Sequence, residues 1–158
     1  MDIWLLRHAA AEERSASGRD ADRELTADGA RRAERVARGL AALKPRIELV
    51  LTSPYRRARQ TAEPAARVLG LEASLRETRA LEPNRDVAEI LEELEAEERR
   101  AVLLVGHQPF LGTLLGLLVG GEGLELPLKK AAVACVEREG RQGTLKALLP
   151  PRVLERIR

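Results

Sequence analysis

The stretch Asp2-Ile3-Trp4-Leu5-Leu6-Arg7-His8 decides how the rest of the chain can fold. It is a short apolar run without polar alternation, a pattern typical of a strand that is covered on both faces in a mostly parallel sheet. In such sheets the active site lies at the carboxyl ends of the strands. We therefore expect Arg7 and His8 at that edge, where a fixed cation beside an imidazole suits a negatively charged group that the imidazole attacks.

Length and composition indicate one soluble globular domain over residues 1–158. The chain is 44% hydrophobic and 33% charged, and its 27 basic residues nearly balance its 25 acidic ones. A basic nucleic-acid-binding face normally needs a larger surplus of positive charge. Binding by base stacking needs aromatic side chains, which make up only 2% of this chain. The composition therefore argues against a nucleic-acid partner.

The amino terminus and the cysteine content indicate the compartment. The chain enters a strand directly, without a secretory leader, and no apolar run approaches membrane-spanning length. We expect a cytoplasmic protein without a membrane partner. The single cysteine, Cys135, excludes an internal disulfide, and together with only two histidines it argues against a structural metal site. Cys135 lies in an apolar run and is interpreted as a buried packing residue rather than a reactive thiol.

Apolar periodicity and chain breakers predict the order of the elements. Thr26 caps a first helix that Pro45 closes, and Ser53 caps a second, with Pro54 at its first position and Gly70 as its terminator. Further helices are predicted from Val87 to Leu94 and from Phe110 to Val119. Strands are predicted at residues 2–7, 47–51, 71–75, 101–105, 131–137 and 144–149. In the tail, Val153, Leu154 and Ile157 are expected to pack back on the domain.

This order implies an α/β fold. We predict a three-layer sandwich with a central, mostly parallel sheet, helices on both faces and an antiparallel edge hairpin formed by the last two strands. Three strand ends then meet at one edge of the sheet. They carry Arg7 and His8, Ser53, and His107. The stretch 9–24 is interpreted as a charged loop.

Both histidines of the chain directly follow an apolar strand. A single histidine at a strand end is more often a structural, hydrogen-bonded residue than a catalytic one. That the only two histidines, His8 and His107, both occupy such positions favours a functional pair. Gly106, which precedes His107, permits close approach of backbone or ligand.

Arg57 is predicted in the first turn of the second helix. A cation is locally unfavourable there by a few tenths to about 1 kcal/mol, because the helix dipole is positive. Residues that break a local rule in this way often bind an anion. The chain is rich in arginine, however, and from this feature alone a surface position for Arg57 is equally favoured.

Four separated motifs resemble the histidine phosphatase superfamily, also called phosphoglycerate-mutase-like. They are Leu6-Arg7-His8-Ala9, Leu25-Thr26-Ala27-Asp28-Gly29, the stretch from Ser53-Pro54-Tyr55-Arg56-Arg57 through Ala58-Arg59-Gln60-Thr61-Ala62, and Val105-Gly106-His107. They occur in the family's order over nearly the whole chain. The length and the Arg-His-Ala form are similar to the SixA-type phosphohistidine phosphatase branch.

The resemblance implies a role for each matched residue. His8 would be the nucleophile that is transiently phosphorylated. Arg7, Arg57 and His107 would bind the phosphoryl oxygens, which leaves Arg56 as a surface residue. Such a phosphatase needs no metal and no cofactor, because phosphoryl transfer depends mostly on positioning and on fixed positive donors. The two guanidiniums would also disfavour protonation of His8.

The chain departs from the family pattern at two points. Ala9 stands where most members have glycine, which we take as a mark of the SixA-type branch. The general acid that many members use cannot be aligned with a motif. Glu82 is the nearest candidate and Glu77 another, and for both a solvated loop carboxylate is the favoured interpretation.

The lack of a general acid in an aligned motif affects which substrate class is expected. An alkoxide leaving group needs a positioned proton donor, whereas the P–N bond of phosphohistidine breaks readily once its ring is protonated. The first hypothesis is therefore a phosphohistidine phosphatase acting on a phosphorylated protein, such as a phosphotransfer domain of a signalling relay. The alternatives are a phosphatase of small phosphomonoesters, such as a sugar phosphate or nucleotide, and a catalytically idle phosphate-binding module.

Overall fold

A computed structural model describes residues 1–158, and all its strands belong to one six-stranded sheet. The strands are β1 (Asp2–Arg7), β2 (Leu49–Thr52), β3 (Leu75–Glu77), β4 (Ala101–Gly106), β5 (Val133–Glu139) and β6 (Gln142–Leu149). The helices are α1 (Ala27–Ala42), α2 (Arg56–Leu69), α3 (Val87–Glu95), α4 (Phe110–Gly120) and α5 (Pro151–Leu154). Three short 3-10 helices lie in the connections.

The sheet has the order β3-β2-β4-β1-β5-β6. The pairs that join β3, β2, β4 and β1 are parallel, whereas β5 pairs antiparallel with both β1 and β6. The predicted mostly parallel sheet with an antiparallel edge hairpin is therefore confirmed. The strand β1 lies inside the sheet, between β4 and β5, as its continuous apolar sequence indicates.

Two apolar clusters cover the two faces of the sheet and give the predicted three layers. Successive side chains of a strand point to opposite faces, so Ile3 and Leu5 of β1 enter one cluster and Leu6 enters the other. The first cluster includes side chains of α3 and α4, and the second includes side chains of α1, α2 and α5. No helix of the structure is both long and apolar enough to cross a bilayer.

The predicted cap of α1 is confirmed, whereas that of α2 is wrong. The backbone N–H of Gly29 donates to Thr26 Oγ1 over 2.9 Å at the start of α1. By contrast, α2 begins at Arg56 with Tyr55 at the N-cap position. The backbone N–H of Ser53 still donates to Val105 O of β4, and its hydroxyl contacts His107, so Ser53 continues the strand edge rather than opening the helix.

The third strand lies later in the chain than predicted. Residues 72–74 form a 3-10 helix, and β3 begins only at Leu75. The cause is the end of α2, where Gly70 has a left-handed φ of 70° and the N–H of Leu71 donates back to Ala66 O. Because this N–H completes the helix terminus, the chain needs another turn before it pairs with β2.

The carboxyl-terminal tail packs on α1 through α5. Leu154 is fully buried in the second cluster, and Ile157 packs partly against it, as expected. Val153 is 46% exposed, so its expected packing is wrong. A Cβ on Gly39 of α1 would lie 2.0 Å from Leu154 O, which shows how closely the tail backbone approaches this helix. Glu155 also accepts hydrogen bonds from Arg32 and Arg35.

Truncation of Leu154 to alanine should destabilise the fold by about 2 to 4 kcal/mol, because it leaves a cavity between α1 and the tail. The neighbouring Val153→Ala change provides a matched control and should stay within about 0.5 kcal/mol of the wild type. Urea denaturation monitored by circular dichroism measures both values. Equal free energies of unfolding for the two variants would show that the tail does not contribute to the core.

Candidate active site

The carboxyl ends of β1, β2 and β4 form one edge at which three predicted residues meet. His8 follows β1, Ser53 follows β2 and His107 follows β4. The backbone N–H of His8 donates to Gly106 O and that of Ser53 to Val105 O, each over 3.0 Å. These bonds extend the strand pairing past the strand ends. As a result, the imidazole centroids of His8 and His107 lie 5.1 Å apart.

The backbone of Ala9 fixes the imidazole of His8. His8 Nδ1 lies 2.7 Å from Ala9 O, and because a carbonyl oxygen only accepts, Nδ1 carries the proton and the lone pair of Nε2 stays free. The N–H of Ala9 donates to Thr61 Oγ1 over 3.1 Å, and this hydroxyl donates to Arg57 O within α2. Thr61 thus holds the backbone that orients His8.

Burial keeps the imidazole of His8 neutral. It lowers the pKa of His8 from 6.5 to about 4, and although the hydrogen bond to Ala9 opposes this shift, the charges of Arg57, Arg7 and Lys130 reinforce it. The two guanidiniums do disfavour protonation, as expected, but desolvation is the larger cause. Nε2 is therefore unprotonated at neutral pH.

The imidazole of His107 is held by the hydroxyl of Ser53. Its Nε2 lies 2.8 Å from Ser53 Oγ, whereas its Nδ1 is enclosed and has no hydrogen-bond partner. Burial lowers the pKa of His107 to about 3, with further lowering by His8 and Arg57 and an opposing effect of Asp20. The ring of Tyr55 packs edge-on against this imidazole, with 5.2 Å between the centroids.

The half-buried Arg7 and the buried Arg57 each retain an enclosed N–H without a partner. Nη1 of Arg7 donates to Leu128 O over 2.9 Å, and burial lowers the pKa of Arg7. Arg57 donates from Nη1 to Asp20 O and from Nη2 to Asp20 Oδ2, over 2.8 and 3.1 Å. Nε of both arginines is enclosed without a partner. Buried donors of this kind are costly unless an acceptor meets them.

Asp20 is a site residue that the sequence analysis missed. It lies in a short 3-10 helix, Asp20–Asp22, within the stretch 9–24 that was interpreted as a charged loop. Partial burial tends to raise the pKa of Asp20, but hydrogen bonds with Arg23 and Arg57 and their charges hold it below its usual value. Asp20 therefore remains an anion that orients Arg57. No local pattern distinguishes it from the other acidic residues nearby.

The candidate general acids do not contact the histidine pair. Glu82 Oε1 accepts a hydrogen bond from Arg79 Nε over 3.3 Å. Glu77 pairs with Arg59 over 2.9 Å and is about half exposed. Glu82 lines a polar surface groove of about 720 Å³ that also includes Tyr55, the neighbour of His107.

The two adjacent arginines of α2 differ sharply in exposure. The side chain of Arg57 is 6% exposed, whereas that of Arg56 is 57% exposed and pairs with Glu24. The guanidinium of Arg57 also lies over the ring of Tyr55, 5.1 Å from its centroid. Arg56 is thus a surface residue, as the resemblance implied, and only Arg57 faces the histidines' side of the helix.

The arrangement combines a free imidazole nitrogen with enclosed N–H donors of two guanidiniums and a second neutral imidazole. Such donors stabilise charge that develops on phosphoryl oxygens without reorganisation. Because both imidazoles are neutral, the positive charge comes from Arg7 and Arg57. The chemistry that fits these groups is transfer of a phosphoryl group to a nitrogen nucleophile.

Comparison with known proteins agrees with this chemistry. Residues 3–82 match the histidine phosphatase superfamily, branch 1, and the chain belongs to this superfamily. It is 32% identical over 154 residues to the phosphohistidine phosphatase SixA of Escherichia coli K12, a match that covers 96% of this chain and 94% of that protein. It is also 38% identical over 138 residues to an uncharacterised protein of a Picosynechococcus strain, with 84% and 82% coverage.

A solved structure supports the same relationship. SixA in complex with tungstate superposes with a TM-score of 0.86 and 32% identity, over 96% of this chain and 98% of that one. The fold is thus phosphoglycerate-mutase-like, and among phosphatases of this superfamily the chain is a homologue of SixA.

We predict that neither histidine titrates near pH 6.5. Both imidazoles should stay neutral down to about pH 4, since burial lowers the pKa values of His8 and His107 to about 4 and about 3. NMR titration of the two Cε1–H resonances measures this directly, with the urea-denatured chain as control, where both should titrate at about 6.5.

The lowered pKa values of the two histidines also determine how the stability of the fold changes in acid. Because the unfolded chain takes up protons first, stability should fall as the pH drops from about 6.5 towards 4. A native resonance that titrates with a pKa between 6 and 7 would contradict the enclosure of that imidazole.

Proposed function

We propose that this chain is a metal-independent phosphohistidine phosphatase with His8 as its nucleophile and residues 1–158 as one histidine phosphatase domain. The observation that carries the proposal is a set of enclosed nitrogens without partners: Nε of Arg7, Nε of Arg57 and Nδ1 of His107. The charges of both arginines act on His8, and the ring of His107 lies 5.1 Å from that of His8. An anion with several acceptor oxygens would satisfy all three nitrogens. The similarity to SixA supports phosphohistidine as the source of that anion.

In the first step, Nε2 of His8 attacks the phosphorus of the substrate. A P–N bond forms on His8 while the P–N bond of the substrate breaks, and a substrate ring already protonated on its other nitrogen leaves as neutral imidazole. Water then attacks the phosphorus of the phosphorylated His8, which releases inorganic phosphate and restores the free imidazole. Arg7, Arg57 and His107 would hold the equatorial oxygens in both steps.

The positions of Glu77 and Glu82 favour a phosphoramidate substrate over a phosphate ester. A phosphate ester needs a proton donor at the leaving oxygen, whereas a protonated imidazole needs none. Glu77 pairs with Arg59 and Glu82 with Arg79, and neither carboxylate contacts the histidine pair, so neither is placed to protonate a leaving oxygen there. A phosphohistidine on a protein therefore suits this site better than a sugar phosphate or a nucleotide.

The covalent intermediate provides the direct test of the nucleophile. Incubation with phosphoramidate should add one phosphoryl group to the wild type, detectable by intact mass, and the group should be lost in acid. His8→Asn should gain none. An unmodified wild type would favour a phosphate-binding module instead, and an acid-stable adduct would exclude phosphohistidine.

The adjacent arginines supply a matched pair for the anion-binding role. Arg57→Ala should lower kcat/KM for a phosphohistidine protein by roughly a hundredfold or more, because it removes a preorganised donor. Arg56→Ala should stay within about twofold of wild type, since exposed side chains contribute little. Steady-state kinetics, with thermal unfolding of each variant as the folding control, measure both. Equal losses would show that Arg57 binds no phosphoryl oxygen.

Substrate class is tested by parallel turnover of a phosphohistidine protein and a panel of small phosphate esters. The phosphohistidine protein should be the preferred substrate, and Glu82→Gln should change its turnover little. Efficient hydrolysis of an ester that Glu82→Gln reduces by orders of magnitude would instead identify a small-molecule phosphatase with Glu82 as its acid.

A further inference from the structure

The hydroxyl of Ser53 contacts His107 at the point where two parallel strands end. Ser53 Oγ and His107 Nε2 lie 2.8 Å apart, and the two residues are 0% and 2% exposed. The pairing of β2 with β4 sets this distance, since Thr52 lies opposite Val105 and the N–H of Ser53 donates to Val105 O. The contact is therefore built into the sheet and shielded from water.

The remaining partner of Ser53 determines the direction of this hydrogen bond. The backbone N–H of Tyr55 donates to Ser53 Oγ over 3.3 Å and occupies one of its lone pairs. The hydroxyl has a single proton, and His107 Nε2 is the acceptor within reach. If Nε2 carried the ring proton instead, the buried hydroxyl proton would lack an acceptor, which is costly.

The direction of this bond decides which nitrogen of His107 can bind an anion. A neutral imidazole carries one proton, on either Nδ1 or Nε2. When Nε2 accepts from Ser53, the proton lies on Nδ1, the enclosed nitrogen without a protein partner. With the other tautomer, Nδ1 would present a lone pair to the phosphoryl oxygens and repel them.

We propose that Ser53 is a positioning residue that holds His107 in its Nδ1–H tautomer and thereby makes it a hydrogen-bond donor to the phosphoryl group. That His107 donates to a phosphoryl group rests on the proposed function, whereas its tautomer is a property of the free protein. Ala9 O accepts from Nδ1–H of the first imidazole, whereas Ser53 donates to Nε2 of the second, so both contacts leave the ring proton on Nδ1.

The tautomer can be measured in the free protein by long-range ¹H–¹⁵N NMR of the two imidazoles at neutral pH. In the wild type, both rings should show a protonated Nδ1 and an unprotonated Nε2. In Ser53→Ala, His107 should shift towards the Nε2–H form, whereas His8 should not change and serves as the internal reference. Thr52→Val, which removes a neighbouring buried hydroxyl that donates to Ser53 O, should leave both rings unchanged.

Anion binding tests the consequence for the site. Isothermal titration with inorganic phosphate should show roughly tenfold weaker binding for Ser53→Ala than for the wild type, the effect of one charge-assisted hydrogen bond. Thr52→Val should bind as the wild type does. This readout involves no turnover, so its result is independent of whether the chain hydrolyses phosphohistidine.

Three results would overturn the proposal: an Nε2–H form of His107 in the wild type, an unchanged Nδ1–H form in Ser53→Ala, or unchanged phosphate binding after the tautomer has shifted. If Ser53→Ala does not fold, Ser53→Cys keeps the shape with a weaker donor and should give a mixture of His107 tautomers. The wild-type spectrum alone decides whether His107 is in the Nε2–H form.

Discussion

The parallel pairing of β1 with β4 is the constraint on which the candidate site depends. Arg7 lies opposite Gly106 in this register, and the N–H of His8 then donates to Gly106 O. A shift by one residue would turn every side chain of the strand to the other face of the sheet. The buried apolar residues on both faces of β1 prevent such a shift, so the packing of the core fixes the distance between the two imidazoles.

The unpartnered nitrogens at this sheet edge are a costly arrangement that an anion would relieve. Two guanidiniums and two neutral imidazoles lie at one sheet edge, and three of their enclosed nitrogens have no hydrogen-bond partner. Each enclosed, unpartnered donor costs about 1 to 3 kcal/mol. A bound phosphoryl group would supply the missing acceptors and should therefore also stabilise the folded chain. A fold retains such local conflicts chiefly where function requires them.

The sequence was sufficient where local and tertiary preferences agree. Continuous apolar runs located β1 and β4, and Thr26 caps α1 because its oxygen accepts from Gly29 N–H while its proton goes to the nearby Ala10 O. Ser53 satisfies the same capping rule but faces His107, 54 residues away, and this long-range partner takes its hydroxyl. Asp20 could not be found for the same reason, since its link to Arg57 spans 37 residues.

A crystal structure of the protein soaked with phosphate or tungstate tests the central claim, that two imidazoles and two guanidiniums surround one phosphoryl-sized site. The account predicts a single anion whose central atom faces Nε2 of His8 and whose oxygens accept from Nδ1 of His107 and from Arg7 and Arg57. An anion bound elsewhere, or one that leaves either guanidinium without a contact, would contradict it.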